Sequence, residues 1–425
     1  MKNIKILHFA DAHIDMVNYG KHDPQSGLPA RVLDFLKSLD TIVDCAIQEK
    51  VDLVIFAGDA YKNRTPAPTF QREWGKRMMR LSRAGIPTIL LTGNHDVSPA
   101  TGRALSIQEY DTLEVPHIRV VSKPVMLTPD DLEDLPVQVI ALPWINRATV
   151  AAGMLNTDEG EPGKDPLEHL QEAFTEMVQI WLKEADPSLA VILTAHASVE
   201  GATYGGERLV MLGQDFTLPG SLVKDNRIDY TALGHIHKHQ NLNEGSHPPV
   251  VYPGSIERVD FGEAADKKYF VIANVGRGKT EVEWRELKDI RPFFDRRVTL
   301  EKAENITQQL IERLPSKEQL GGAILRLIVE YPRDWEAMLD EASVREHAKD
   351  AFEFHFLRRP TSEDRARLDS SLTISSLSAI ELTQKYWESV QTSPEEMESL
   401  QQLANEIIRE AARGTEDILP EGETV

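Results

Sequence analysis

Five stretches of this chain run apolar for several residues and then stop at polar groups that an ordinary core would reject: "IKILHFADAH", "VDLVIFAGDA", "IPTILLTGNHD", "LAVILTAHAS" and "IDYTALGHIHKH". Runs of this length suit strands of a largely buried sheet. Amphipathic patterns separate several of them. "ARVLDFLKSLDTIVDCAIQEK" and "FQREWGKRMMRLSRAG" follow the first and second, and "LEHLQEAFTEMVQIWLKEAD" precedes the fourth. Alternating strands and helices imply an α/β fold, whose functional sites lie beyond the carboxyl ends of the strands. Each polar stop falls at such an end.

In chain order the stops supply Asp11 and His13, Asp59, Asn94 and His95, His196, then His235 and His237. All are metal-compatible or acid–base groups. In Asp11-x-His13 and His235-x-His237 the i, i+2 spacing on extended chain puts both side chains on one face, where they can grip one centre or two adjacent ones. Taken singly, His13 or His196 is an ordinary core or surface histidine, and "GNHD" is a turn, because Gly and Asn both tolerate left-handed backbone. Five such pieces at successive strand ends outweigh that reading. A single cation rarely needs so many donors. Two cations roughly 3.5–4 Å apart do, and such a pair lowers the pKa of a water from 15.7 to about 7 for attack on phosphorus. Imidazole, carboxylate and one amide, with no thiolate, suit Mn²⁺, Fe or Zn²⁺.

Length and charge bound the rest. A chain of 425 residues fits two domains and an appendage. No stretch approaches the roughly 18 unbroken apolar residues of a membrane span, and the opening "MKNIKILHFAD" enters a strand pattern directly, so a soluble cytoplasmic protein with no membrane association is expected. The single cysteine, Cys45, lies in an apolar helical pattern and reads as a structural thiol. A net charge of −21 argues against coating nucleic acid by bulk electrostatics.

Beyond the fifth run, "PPVVYPGSIERVDF", "KKYFVIANV" and "TEVEWREL" read as a second sheet completing the domain. Around Arg291 and Pro292 short strand and helix patterns begin to alternate, as in a small α+β domain. The expected division is 1–288 for the main domain, 289–362 for the α+β domain, 363–374 for a linker, 375–413 for a helical segment and 414–425 for a disordered acidic tail. In the helical segment Ser393 is the expected N-cap, with Glu396 closing a capping box. Met397, Leu400, Leu403, Ile407 and Ile408 form an apolar stripe after it.

The motifs "DAH", "GD", "GNHD", "AH" and "GHIH" resemble the five motifs of the calcineurin-like metallophosphoesterases, and "YPGSIERVDFGE" is similar to a signature of their SbcD branch, bacterial DNA-repair nuclease subunits. The resemblance covers about residues 4 to 270. It implies a two-sheet α/β/β/α sandwich carrying an α+β capping domain and a C-terminal helical tail. It also implies that Asp11, His13 and His237 hold one metal, that Asp59 bridges, and that Asn94, His196 and His235 hold the second, with Mn²⁺ the expected metal. His95 is then no ligand but a catalytic residue beside the scissile phosphate, with Asp96 orienting it. Many relatives carry a second histidine three residues after the bridging aspartate. Here Lys62 stands there, a point charge suited to a phosphate.

Seven basic residues and one acid lie between Lys62 and Arg83, so Lys62, Arg64 and Arg72 are candidate DNA contacts, and Arg258 is another. The segment from Ser393 to Val425 has nine acids against two arginines, net −7, and cannot be a DNA clamp. Its stripe suits a helix-in-groove contact, which the resemblance assigns to an SbcC-type ATPase within a heterotetramer containing a homodimer of this chain. The function so implied is a two-metal DNA nuclease: an exonuclease on double-strand ends and an endonuclease on hairpins or single strands. The rivals are a phosphodiesterase or phosphatase for small nucleotides on the same scaffold, and a non-catalytic binding subunit.

Overall fold

The computed structural model describes residues 3–19, 21–97, 104–144, 166–205 and 217–361, together with 383, 384, 387, 392, 393, 396, 397 and 399–405. The expected linker at 363–374 and acidic tail at 414–425 lie outside the described residues, as does most of the segment 375–413.

Strands β1 (Ile4–Phe9), β2 (Leu53–Phe56), β3 (Thr88–Leu91) and β4 (Ile118–Val121) lie side by side and parallel. Helix α1 (Ala30–Gln48) links the first pair and α2 (Pro68–Arg83) the second. A second sheet takes β5 (Val125–Leu127), β6 (Val137–Leu142), β7 (Ala190–His196), β10 (Tyr230–Gly234), β11 (Gln240–Asn241) and β12 (Val250–Tyr252), in the order β11-β12-β10-β7-β6-β5. The short pair β8 (Ser198–Val199) and β9 (Thr217–Leu218) stands apart. The segments after the fifth run do not build a second sheet of their own. Only β12 joins the second sheet. β13 (Lys268–Gly276) and β14 (Lys279–Leu287) return to the first, where β13 pairs antiparallel with β1, giving the order β14-β13-β1-β2-β3-β4.

Strand alternation sorts the side chains into three cores. Leu7 and Phe9 of β1 face Val32, Phe35 and Leu39 of α1 and Trp74 and Met78 of α2. Ile4 and Ile6 face the other way, into a layer shared with Val139, Ile192, Tyr230 and Val251 of the second sheet. The far side of that sheet, with Leu193 and Leu233, packs on Phe174, Val178 and Leu182 of the helix Pro166–Glu184. The result is the expected α/β/β/α sandwich. Cys45 is half-buried on α1, and burial lifts its thiol to about 11.

His8 is a polar member of the layer between the sheets. Its Nδ1 lies 2.9 Å from the Tyr230 hydroxyl and its Nε2 3.2 Å from the Leu233 carbonyl, so the ring is neutral with its proton on Nε2. Burial lowers its pKa to about 3. The unfolded chain, with an ordinary histidine near 6.5, therefore binds a proton that the folded chain refuses between these values, and stability falls as pH falls through that window. Between pH 7 and pH 5 the His8 contribution is about 2 kcal/mol. It should appear as a shallower pH dependence of urea unfolding in His8→Leu than in wild type; equal slopes would mean that His8 is not held neutral.

The chain divides into two compact units. The first comprises residues 1–296, 315–326 and 347–355, and the second residues 297–314, 327–346 and the described residues from 356 onward. A three-stranded sheet of β15 (Phe293–Thr299), β16 (Ile324–Pro332) and β17 (Glu353–Thr361) has the order β15-β16-β17. Within the first unit Arg291 grips Asp34 through two bonds of 2.6 and 2.8 Å and donates to the Gly322 carbonyl at 2.6 Å. In the second, Ile306, Leu310 and Val344 are buried, and Ser393 caps its helix by accepting from the Glu396 N–H at 3.4 Å. The Glu396 carboxylate takes the Ser393 hydroxyl at 3.0 Å. Leu400 and Leu403 of that helix are exposed. Among the described residues no helix is long and apolar enough to cross a membrane.

Candidate metal centre

All eight polar stops converge in the first unit. β1, β2 and β3 are neighbours in one sheet and β7 and β10 in the other, and their carboxyl ends bring Asp11, His13, Asp59, Asn94, His95, His196, His235 and His237 together. The backbone there is unusual. Asp11, His13, Asp59 and His235 have φ of 51°, 39°, 65° and 97°, left-handed values that cost a residue with a side chain about 1–3 kcal/mol each. "GNHD" does turn, with the Asp96 N–H donating to the Gly93 carbonyl at 3.2 Å, and Gly93 answers a second need. A Cβ there would strike the Asp59 carboxylate, so the glycine lets that side chain pass.

The ring tautomers are fixed from behind. His13 Nδ1 is 3.2 Å from the Tyr61 carbonyl, and His237 Nδ1 is 2.7 Å from the Glu263 carboxylate, so each donates there and leaves a lone pair on Nε2. Those two Nε2 atoms face each other at 3.1 Å. His196 Nδ1 likewise donates to the Ala57 carbonyl at 2.7 Å, turning its Nε2 lone pair toward Asn94 Oδ1 at 3.1 Å and Asp59 Oδ2 at 3.5 Å. His235 Nδ1 is 3.0 Å from the same Asn94 oxygen. Acceptor thus faces acceptor in two adjoining places, an arrangement that requires positive charge between the atoms.

The ionisation of the cluster points the same way. Without a cation, that positive charge can come only from protons. Burial pulls the His196 imidazole down, but Asp59, by charge and hydrogen bond, outweighs it and lifts the ring to about 9, so that a proton on Nε2 fills the place between the acceptors; burial raises Asp11 to about 6. Asp11, His13 and His237 offer atoms close enough to hold one ion, and so do Asp11, Asp59 and His196. Asp59 Oδ1 accepts the His95 N–H at 2.8 Å, leaving Oδ2 between His13 Nε2 at 3.8 Å and His196 Nε2 at 3.5 Å.

The sequence pattern that defines the calcineurin-like phosphoesterases matches residues 4–239, more than half of the chain. This chain belongs to the calcineurin-like phosphoesterase family. It is 25% identical over 285 residues to the SbcD subunit of the SbcCD nuclease of Escherichia coli K12, a match taking in 65% of this chain and 66% of that protein, just under two thirds of its length. It is 25% identical over 344 residues to the DNA double-strand break repair protein Mre11 of Archaeoglobus fulgidus, covering 76% and 68%. A Bacillus subtilis protein described as the uncharacterized metallophosphoesterase YhaO is 24% identical over 338 residues, covering 78% and 72%. The buried oxygen and imidazole donors of this phosphoesterase fit divalent cations.

His95 stands apart from the facing lone pairs. Its Nδ1 donates to the Lys62 carbonyl at 2.7 Å, its Nε2 is 3.5 Å from Lys62 Nζ, and burial lowers its pKa. The ring is therefore held by Lys62 and not, as expected from sequence, by Asp96. The buried Asp96 carboxylate accepts from the backbone N–H groups of Asp59, Ala60 and Gly93 and from the Ser106 hydroxyl, at 2.8–3.1 Å, and so brackets the two metal loops.

The expected DNA contacts separate as well. Arg258 is spent on the carbonyls of Glu263, Asp266 and Arg291, at 2.7–3.2 Å, so its role is structural. Arg72 shares Glu73 with Lys76 and Arg77, while Arg77 and Arg80 also bind Asp40 of α1. Most of the basic face of α2 is thereby neutralised. Lys62 and Arg64 lie at the centre itself, Arg64 exposed and donating to the Asn94 carbonyl at 3.2 Å.

Besides Glu263, which backs His237, sequence reading missed two contributors. Asp15, four residues after Asp11, accepts from the backbone of Lys62 and, at 3.1 Å, of Asn63, and fixes that loop. Trp144 lies against the His235 ring, with centroids 4.9 Å apart. Its signal was present: "VQVIALPW" is a further apolar run ending at the same edge.

Proposed function

We propose that this phosphoesterase is a cytoplasmic, two-metal DNA nuclease acting on double-strand ends and on hairpins or single strands, the catalytic subunit of an SbcCD-like complex. The observation that carries the two-metal reading is the pair of facing acceptors, His13 Nε2 against His237 Nε2 and His196 Nε2 against Asn94 Oδ1. Asp11, His13 and His237 would hold one cation and Asn94, His196 and His235 the other, with Asp59 shared between them. When bound, the metals, proposed to be Mn²⁺, would supply the Lewis acidity and the activated water that phosphodiester hydrolysis requires.

The chain's own groups do the rest. The His95 N–H fixes Asp59 so that one oxygen remains for the cations. Lys62 Nζ and the Arg64 guanidinium offer fixed positive charge where a phosphate backbone would enter, which reconciles DNA binding with a net charge of −21. The His95 ring is held at Nδ1, and its Nε2, once protonated, would donate that proton to the leaving oxygen. The relatives named SbcD and Mre11 support DNA as the substrate. The exposed Leu400 and Leu403 support an SbcC-type ATPase on the C-terminal helices, in a heterotetramer built on a homodimer of this chain. The α+β domain at 289–362 would restrict which DNA reaches the metals.

The test uses the full chain with and without Mn²⁺, on linear duplex DNA and on bis-p-nitrophenyl phosphate, with Asn94→Ala as control. Manganese-dependent cleavage of both substrates, lost in the control, is expected. Hydrolysis of the small diester alone, even with the ATPase added, would assign the site to small nucleotides. Inactivity on both would make the chain a binding subunit.

A further inference from the structure

One buried ion pair lies directly behind the metal centre. Glu263 and Lys268 have side chains only 2% and 1% exposed, and their charged groups are 2.5 Å apart. Glu263 divides its two oxygens. Oε2 takes Lys268, the Ser255 hydroxyl at 3.1 Å and the Val259 N–H at 3.1 Å, while Oε1 accepts the proton of His237 Nδ1 at 2.7 Å. Lys268 also donates to Ser255 Oγ at 2.7 Å. Ser255, Val259 and Glu263 all belong to the stretch "YPGSIERVDFGE". That stretch folds into a socket whose one free carboxylate oxygen points at the back of a metal-facing histidine.

A buried carboxylate would ordinarily be expelled or protonated. Lys268 keeps this one ionised without adding net charge, so Glu263 is a fixed, strong acceptor. An imidazole that donates Nδ1–H to such an acceptor has its lone pair on Nε2, its ring plane locked and its basicity raised.

We propose that Glu263 is a positioning residue for the metal centre: with Lys268 as its buried counter-ion, it holds His237 in the one tautomer and orientation that can bind a cation through Nε2. This rests on the two-metal reading above. The rival account is that the pair only staples the segment 255–268 to the fold, in which case its effect on metal binding ends once the protein is folded.

The two accounts separate in the double variant Glu263→Leu/Lys268→Met, which removes both charges together and avoids stranding either one in the interior. The full-length chain, stripped of metal and shown to be folded by circular dichroism, is titrated with Mn²⁺ by calorimetry beside wild type. Wild type should bind two ions. The double variant should bind one of them roughly 10–100-fold more weakly and leave the other nearly unchanged. Glu263→Gln/Lys268→Met, which restores a neutral acceptor oxygen, should recover part of the loss. Two wild-type affinities in a folded double variant would overturn the positioning role. Fewer than two ions on wild type would instead overturn the two-metal reading, and this inference with it.

Discussion

Replacing Asp59 by asparagine is expected to reduce phosphodiester hydrolysis to the level of metal-free protein and to leave the chain with at most one tightly held cation. The substitution keeps volume and shape, so the effect follows from charge alone. Asp59 Oδ1 is occupied by the His95 N–H, so only Oδ2 lies between the two groups of donors. In the Asp59→Asn variant the side-chain carbonyl would take over the bond to His95, and the amide NH₂ would face the cations. A shared anionic ligand would become a repelling donor. The loss should exceed the roughly 10²–10³ seen when one fixed hydrogen-bond donor is removed from an active site, because in the proposed bridge both metals depend on this group. Metal analysis with an assay on bis-p-nitrophenyl phosphate decides it. Two ions and near wild-type turnover would remove Asp59 from the bridge.

His95→Gln should have the opposite profile, with metals retained and hydrolysis lost. No lone pair in the two facing sets belongs to the His95 ring, and its link to the centre is a backbone N–H that glutamine keeps. What disappears is the imidazole held at Nδ1 by the Lys62 carbonyl, together with its Nε2. Removing a positioned acid–base group costs about 10²–10⁴ in rate. Turnover should fall by that factor while a manganese titration still shows two sites. A variant that instead loses its metals would place His95 among the ligands.

The site was legible because its parts sit at the ends of apolar runs, and a run that stops at Asp, Asn or His betrays itself without any knowledge of packing. Pairings between distant segments left no such trace. The cations of α2 are written in one stretch, but Asp40 and Asp44, which neutralise them, are on α1, one strand away. Arg258 looks like any arginine until its carbonyl partners come together. The return of β13 to pair with β1 joins segments at opposite ends of the main domain, and periodicity carries no information on which sheet a strand enters. Asp96 was assigned to its sequence neighbour His95, whereas it serves Asp59 and Ala60, brought beside it by the pairing of β2 with β3.

The left-handed backbone at Asp11, His13, Asp59 and His235 bears on how such a chain would drift if its chemistry were no longer needed. At each position glycine would relieve strain, so selection for folding alone favours losing these side chains. A lineage freed from catalysis would gain stability with every such loss and would have little reason to stop. All four positions here carry a strained residue that is a proposed metal ligand. That all four are side-chain-bearing residues in left-handed backbone is a cost to stability that the proposed metal centre would account for.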